Sequence, residues 1–136
     1  MEDETCLNRA VDEAFFSRLS HGFASERGRS WWSELEDWRY TISGPLNSIV
    51  KKGGCEYVYA RDDRYFAGVN DPESLRSRLL GWLAELAARV DGFEPASEAE
   101  HADLAFMRSC VTAMRSAIEQ AIAVERRRRK EAERGN

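Results

Sequence analysis

One stretch, Ser97 to Val124, restricts the fold more than any other. Leu104, Met107, Val111, Met114, Ile118 and Ala121 recur at alternating intervals of three and four residues, the spacing that puts side chains on one face of an α-helix. Phe106, Cys110, Ala113, Ala117 and Val124 widen that seam into a broad apolar face. Ser97 followed three residues later by Glu100 marks the helix start as a capping box. A face this wide must be covered, either by the rest of the chain or by a second copy of the helix. Leu104, Met107, Val111, Met114 and Ile118 are therefore the first candidates for a protein-interaction surface, with homodimerisation through this helix as the expected use.

The preceding segments supply partners for it. Leu7, Val11, Phe15, Leu19 and Phe23 recur every four residues and predict a helix from about Thr5 to Phe23. Trp31, Leu35, Trp38 and Ile42 share one face of a second helix starting near Ser30. Gly44-Pro45 breaks that helix, because proline disfavours helix in the residue before it, and a short turn from Pro45 to Lys52 follows. Asp71 as cap, Pro72 at the first position and Glu73 near the positive dipole end open a helix. Its apolar stripe is Leu75, Leu79, Leu83, Leu86 and Val90, and Gly92 closes it. The link to Ser97 is so short that these two helices are expected to lie antiparallel.

Residues 55–69 differ in kind. Tyr57, Val58, Tyr59, Tyr65 and Phe66 flank the polar run Arg61-Asp62-Asp63-Arg64, which predicts a short β-hairpin or an irregular insert. The expected fold is thus a small, mainly α bundle of three to four helices carrying that insert, with residues 1–124 as one domain. Residues 125–136 lose the apolar pattern and read as a basic, frayed tail.

Charge and composition exclude several classes. No run of eighteen apolar residues exists, so no membrane span is expected, and the acidic start lacks the pattern of a secretory signal. The expected location is cytoplasmic. Net charge is −4 over 136 residues, but the last twelve hold six basic residues against three acidic ones. Cys6, Cys55 and Cys110 are too scattered for a disulfide framework or a zinc site and read as buried free thiols. Neither His21 nor His101 has a spaced catalytic partner, and HExxH, GxSxG and GxGxxG are all missing. Asp62-Asp63 reads as turn chemistry with Arg61 and Arg64 as local partners. No cofactor, metal or enzymatic activity is expected.

What is left is binding. Trp31 and Trp38 fall on a core stripe, whereas Trp32 lies off it and is the best exposed aromatic contact. Glu34, Glu36 and Asp37 line the other side and form part of a negative face suited to a basic partner. The leading reading is a non-enzymatic adaptor, assembly subunit or inhibitor that binds another protein through helical surfaces. Two alternatives stand beside it. Arg126, Arg127, Arg128, Arg129 and Lys130 could clamp nucleic-acid phosphates, or the acidic face could occupy a basic channel, in the manner of small anti-defence inhibitors.

Overall fold

A computed structural model describes residues 2–17, 22–61 and 63–135. Six α-helices and no strand occur among the described residues: α1 (Glu2–Phe15), α2 (Glu26–Glu34), α3 (Glu36–Lys52), α4 (Glu56–Tyr59), α5 (Pro72–Asp91) and α6 (Glu98–Arg134). The mainly α expectation holds. The long helix α6 is the hub, packing against α1, α2, α3 and α5, while α3 also touches α1, α2 and α5.

Helix α6 starts where the sequence puts it. Ser97 accepts from the Glu100 backbone N–H at 3.2 Å, but the Glu100 carboxylate takes the N–H of Ala96 rather than that of Ser97. The helix does not fray after Val124. It continues to Arg134, with Glu125 buried and most of the residues beyond it exposed. Along its inner face Met107, Met114, Ile118 and Ala121 are fully enclosed, and Leu104 and Val111 are nearly so. The seam is covered by the chain's own helices. These five candidate interaction residues are therefore core in the single chain, and homodimerisation through them has no exposed face to use. The reason is that α1, α3 and α5 each present an apolar stripe of their own, and α6, the longest of the described helices, packs against all three.

The short link does produce antiparallel neighbours. Ion pairs run along α5 and α6 in opposite order: Glu73 with Arg126, Arg76 with Glu119 at 2.5 Å, and Asp91 with Arg108 at 3.1 Å. All lie at the surface, where such pairs fix register more than they stabilise. The Asp71 cap is complete: its carboxylate accepts from the Ser74 N–H at 2.7 Å, and Ser74 Oγ accepts from the Asp71 N–H at 3.2 Å.

Three expectations are corrected. Helix α1 ends at Phe15 instead of continuing to Phe23; Leu19 lies outside the described residues, and Phe23 still reaches the core through ring contacts with Trp32 and Phe106. The second helix is two helices, and the break falls at Leu35 (φ −95°, ψ 13°), not at Gly44-Pro45. Pro45 sits buried inside α3, between fully enclosed Ile42, Leu46 and Ile49. An interior proline costs roughly 3 kcal/mol, and burying three aliphatic side chains at about 1.5–3 kcal/mol each outweighs it. Helix α3 ends instead at Gly53, whose φ of 80° is left-handed backbone that a side chain would strain.

The described residues of 55–69 contain no strand, so the hairpin form of the expected insert is not found among them. The chain makes the one-turn helix α4 and then a run of turns from 63 to 68. Asp63 accepts from the N–H groups of Tyr65 and Phe66 at 3.0 and 3.1 Å, and the Arg78 guanidinium donates to the carbonyls of Tyr65 and Ala67. A lone ribbon needs a third strand or a broad sheet contact to be stable. Here a side-chain clamp from α5 takes up the backbone groups instead.

Candidate functional site

The sequence candidates are scattered by the fold. Trp32 keeps only 2% of its exposure and belongs to the core, not to a contact surface. The correction follows from the break at Leu35: Trp32 sits on α2, whose phase is independent of α3, so the stripe drawn through Trp31 and Trp38 spans two different helices. Glu34 closes α2, and Glu36 and Asp37 open α3, all three exposed at the corner. The basic run is largely engaged within the chain. Arg126 pairs in two-pronged fashion with Glu73, Arg128 donates to the Ile49 carbonyl near the end of α3, and Arg129 lies over the Tyr59 ring at 5.0 Å. Arg127 and Lys130 are exposed on the same helix end. Arg126, Arg128 and Arg129 thus brace the bundle.

What the fold does bring together lies where α1, α2 and α3 meet. A cavity of about 260 Å³ opens there, walled by Phe15, Phe16, Phe23, Trp32 and Tyr40, with Arg29 and Arg39 also in its lining. The Arg39 guanidinium stacks 5.3 Å from the Trp32 ring. Trp32 Nε1 and Arg39 Nε are buried with no hydrogen-bond acceptor among the described residues, an arrangement that leaves a desolvation cost unmet. Burial lowers the pKa of Arg39 from its usual value, with the Glu36 charge partly opposing that. No Asp or Glu lines this cavity, and neither arginine has an ion-pair partner among the described residues.

A second depression of about 230 Å³ adjoins it. Tyr57, Tyr65, Phe66 and Arg61 line it together with Gly44 and Pro45, and Tyr40 is common to both hollows. Four large hydrophobic side chains are exposed among the described residues: Phe16 at 38%, Tyr40 at 57%, Tyr57 at 43% and Tyr65 at 41%. All four belong to these two linings. Apolar exposure scattered singly is ordinary; here it is gathered at two hollows that share Tyr40. Sequence reasoning missed this groove because Phe16, Tyr40, Tyr57 and Tyr65 lie far apart in the chain. Their signal was only that each falls off its local apolar stripe.

The placement of α2 rests on one buried carboxylate. Asp103, fully enclosed on α6, accepts from the N–H groups of Ala24 at 2.6 Å and Ser25 at 3.0 Å and from Ser25 Oγ. Ser25 Oγ in turn accepts from the Gly28 N–H at 3.0 Å, capping α2. The carboxylate thus sits at the positive end of the α2 dipole. Because α2 carries Arg29 and Trp32, the latch sets one wall of the cavity.

A polar cluster lies at the far end of α6. Tyr59 donates to Glu125 at 2.7 Å, and burial together with that bond raises the Tyr59 pKa. Burial, reinforced by the Glu125 and Glu56 charges, pushes the Cys55 thiol up to about 12 from 9.0. A raised native value means the neutral thiol is favoured in the fold; that contribution is intact below the ordinary value near 9.0 and is lost as pH climbs towards about 12. A thiolate is the nucleophile, so a colourless aromatic disulfide reagent at pH 8 is expected to label Cys6 rapidly. Cys6 is exposed, against the sequence expectation, because it stands one residue off the Leu7 stripe; Cys55 and Cys110 are buried. The other two thiols should react only on addition of denaturant, and fast labelling of Cys55 in the native chain would contradict the enclosure described.

No three His, Cys, Asp or Glu side chains are grouped to hold a metal ion among the described residues, and no described helix is long and apolar enough to cross a membrane. No family model, curated protein or solved structure matches this chain.

Proposed function

We propose that this chain is a non-enzymatic binding protein that docks another protein across the groove formed by Phe16, Tyr40, Tyr57 and Tyr65. The observation that carries this reading is the gathering of all four exposed large hydrophobics, among the described residues, along two hollows joined at Tyr40. Tyrosine and arginine are the residue types that dominate binding hot spots, because each offers large contact area with a polar handle. Arg29, Arg39 and Arg61 stand beside these rings, while Glu36 and Asp37 form an acidic rim at the start of α3. The hollows, near 260 and 230 Å³, fall below the roughly 300–1,000 Å³ of drug-sized ligand pockets and suit anchor side chains.

The test is site-specific photo-crosslinking in the cells that produce the protein, with the probe placed at Tyr57 and, as control, at exposed Ala84 on α5. The expected result is one protein crosslinked from Tyr57 and absent from Ala84. That partner, once purified, should lose at least about tenfold in affinity with Tyr40→Ala or Tyr65→Ala, as central hot-spot truncations do, while the melting temperature stays put. Equal crosslinking from Ala84, crosslinking to nucleic acid instead, or unchanged affinity in both variants would each refute the reading.

A further inference from the structure

The two arginines beside the indole call for a specific occupant. Arg29 and Arg39 share a small aromatic cavity with no carboxylate in its lining, in a chain whose net charge is −4. Arg76 pairs with Glu119, Arg108 with Asp91 and Arg126 with Glu73. Here Arg39 instead stacks on Trp32, its Nε lacks an acceptor, and the Trp32 indole N–H lacks one too, although that side chain is 98% buried by its 2% exposure. A carboxylate is the acceptor that meets a guanidinium with two parallel bonds, and the cavity lining offers two guanidinium groups, exposed Arg29 and half-buried Arg39. Aromatic walls reward an apolar group attached to that acid.

We propose that this cavity is an anion-accepting subsite for an acidic peptide segment, in which an Asp or Glu of the partner inserts between Arg29 and Arg39 while an adjacent aromatic residue lies against Phe16 and Tyr40. The proposal rests on the docking groove proposed above and names the partner chemistry it selects. Glu36 lies outside the cavity lining and makes no ion pair with Arg39. Ligand preference is thus built from the pairing of one negative charge with one ring. A neutral isostere still offers one acceptor oxygen but brings neither the charge nor the second oxygen of a carboxylate.

The experiment uses the full ¹⁵N-labelled chain and two blocked tetrapeptides, acetyl-Gly-Glu-Phe-Gly-amide and its Gln counterpart. The indole N–H resonances of the four tryptophans are the readout. The expected result is a saturable shift of the Trp32 indole N–H with the Glu peptide, weakened about tenfold or more with the Gln peptide. Arg29→Gln, at an exposed position that leaves the core untouched, should weaken the Glu peptide by a similar factor and leave the melting temperature unchanged. Arg39→Gln should do so too. Equal shifts from both peptides, no Trp32 shift at millimolar peptide, or affinity indifferent to Arg29→Gln would each overturn the subsite. Binding of phenylacetate as tight as that of the Glu peptide would also overturn it, assigning the cavity to a small organic acid. The two proposals separate cleanly. Crosslinks from Tyr57 with no Trp32 shift leave the groove standing and remove the acidic anchor; a Trp32 shift with no crosslinked protein does the reverse.

Discussion

Met114→Asp is expected to abolish cooperative folding, leaving a chain with no sharp thermal transition by circular dichroism and an expanded sedimentation profile. Met114 is fully enclosed in the middle of α6. Truncating a buried methionine costs about 2–5 kcal/mol through lost packing alone. Enclosing an unpaired carboxylate adds a penalty that the group can escape only by taking up a proton or by opening the fold. Together these approach or exceed the roughly 5–15 kcal/mol that holds a typical domain together. The same substitution in an exposed dimer seam would give a folded monomer, so the measurement separates core from interface. A folded Met114→Asp chain with the wild-type melting temperature would show that α6 is not enclosed as described. Tyr40→Ala offers the contrast, since its 57% exposed side chain supports little of the core. Its stability should change by no more than about 0.5 kcal/mol.

The second large effect is expected at the latch between α6 and α2. Asp103→Ala removes the acceptor of two backbone N–H groups and one hydroxyl. Leaving such donors buried costs about 1–3 kcal/mol each, tempered where water reaches them. A loss near 3 kcal/mol, or roughly 10 °C in melting temperature for a chain of this size, is the expected outcome. Gly28→Ala attacks the same contact from the other side. A methyl carbon there would overlap Asp103 Oδ2 and lie 2.6 Å from its Cγ, so α2 or the carboxylate must move. The double variant is expected to lose less than the sum of the two single losses, because removing the carboxylate relieves most of that overlap. Strict additivity in thermal melts would mean that the two residues do not share one contact. Both variants should also disturb the Trp32 indole resonance, since α2 carries Arg29 and Trp32 into the cavity wall.

Much of the fold was legible in the chain. Five apolar positions on α5 and the seam of α6 emerge as buried where their periodicity puts them, and the Asp71 cap and the antiparallel α5–α6 pairing follow from local chemistry. Local chemistry also misleads where two signals compete. Gly44-Pro45 looks like a stop, yet Ile42, Leu46 and Ile49 packing on the core holds the helix through it. Tyr57, Val58 and Tyr59 look like a strand, yet no neighbouring strand exists among the described residues to pair with them, and α4 forms instead.

Periodicity along a helix tells which side chains leave water, because that depends on residues three and four apart. It therefore determined that α6 must be sheltered, that α5 lies beside it, and that the chain is mainly helical. It carries no record of which distant side chains meet, since the gathering of Phe16, Tyr40, Tyr57 and Tyr65 at two hollows, or the contact between Asp103 and Ser25, depends on how whole helices are set against one another. Tertiary packing alone decided that the shelter comes from within the chain, that Trp32 turns inward, and that the exposed rings gather along one groove beside Arg29 and Arg39.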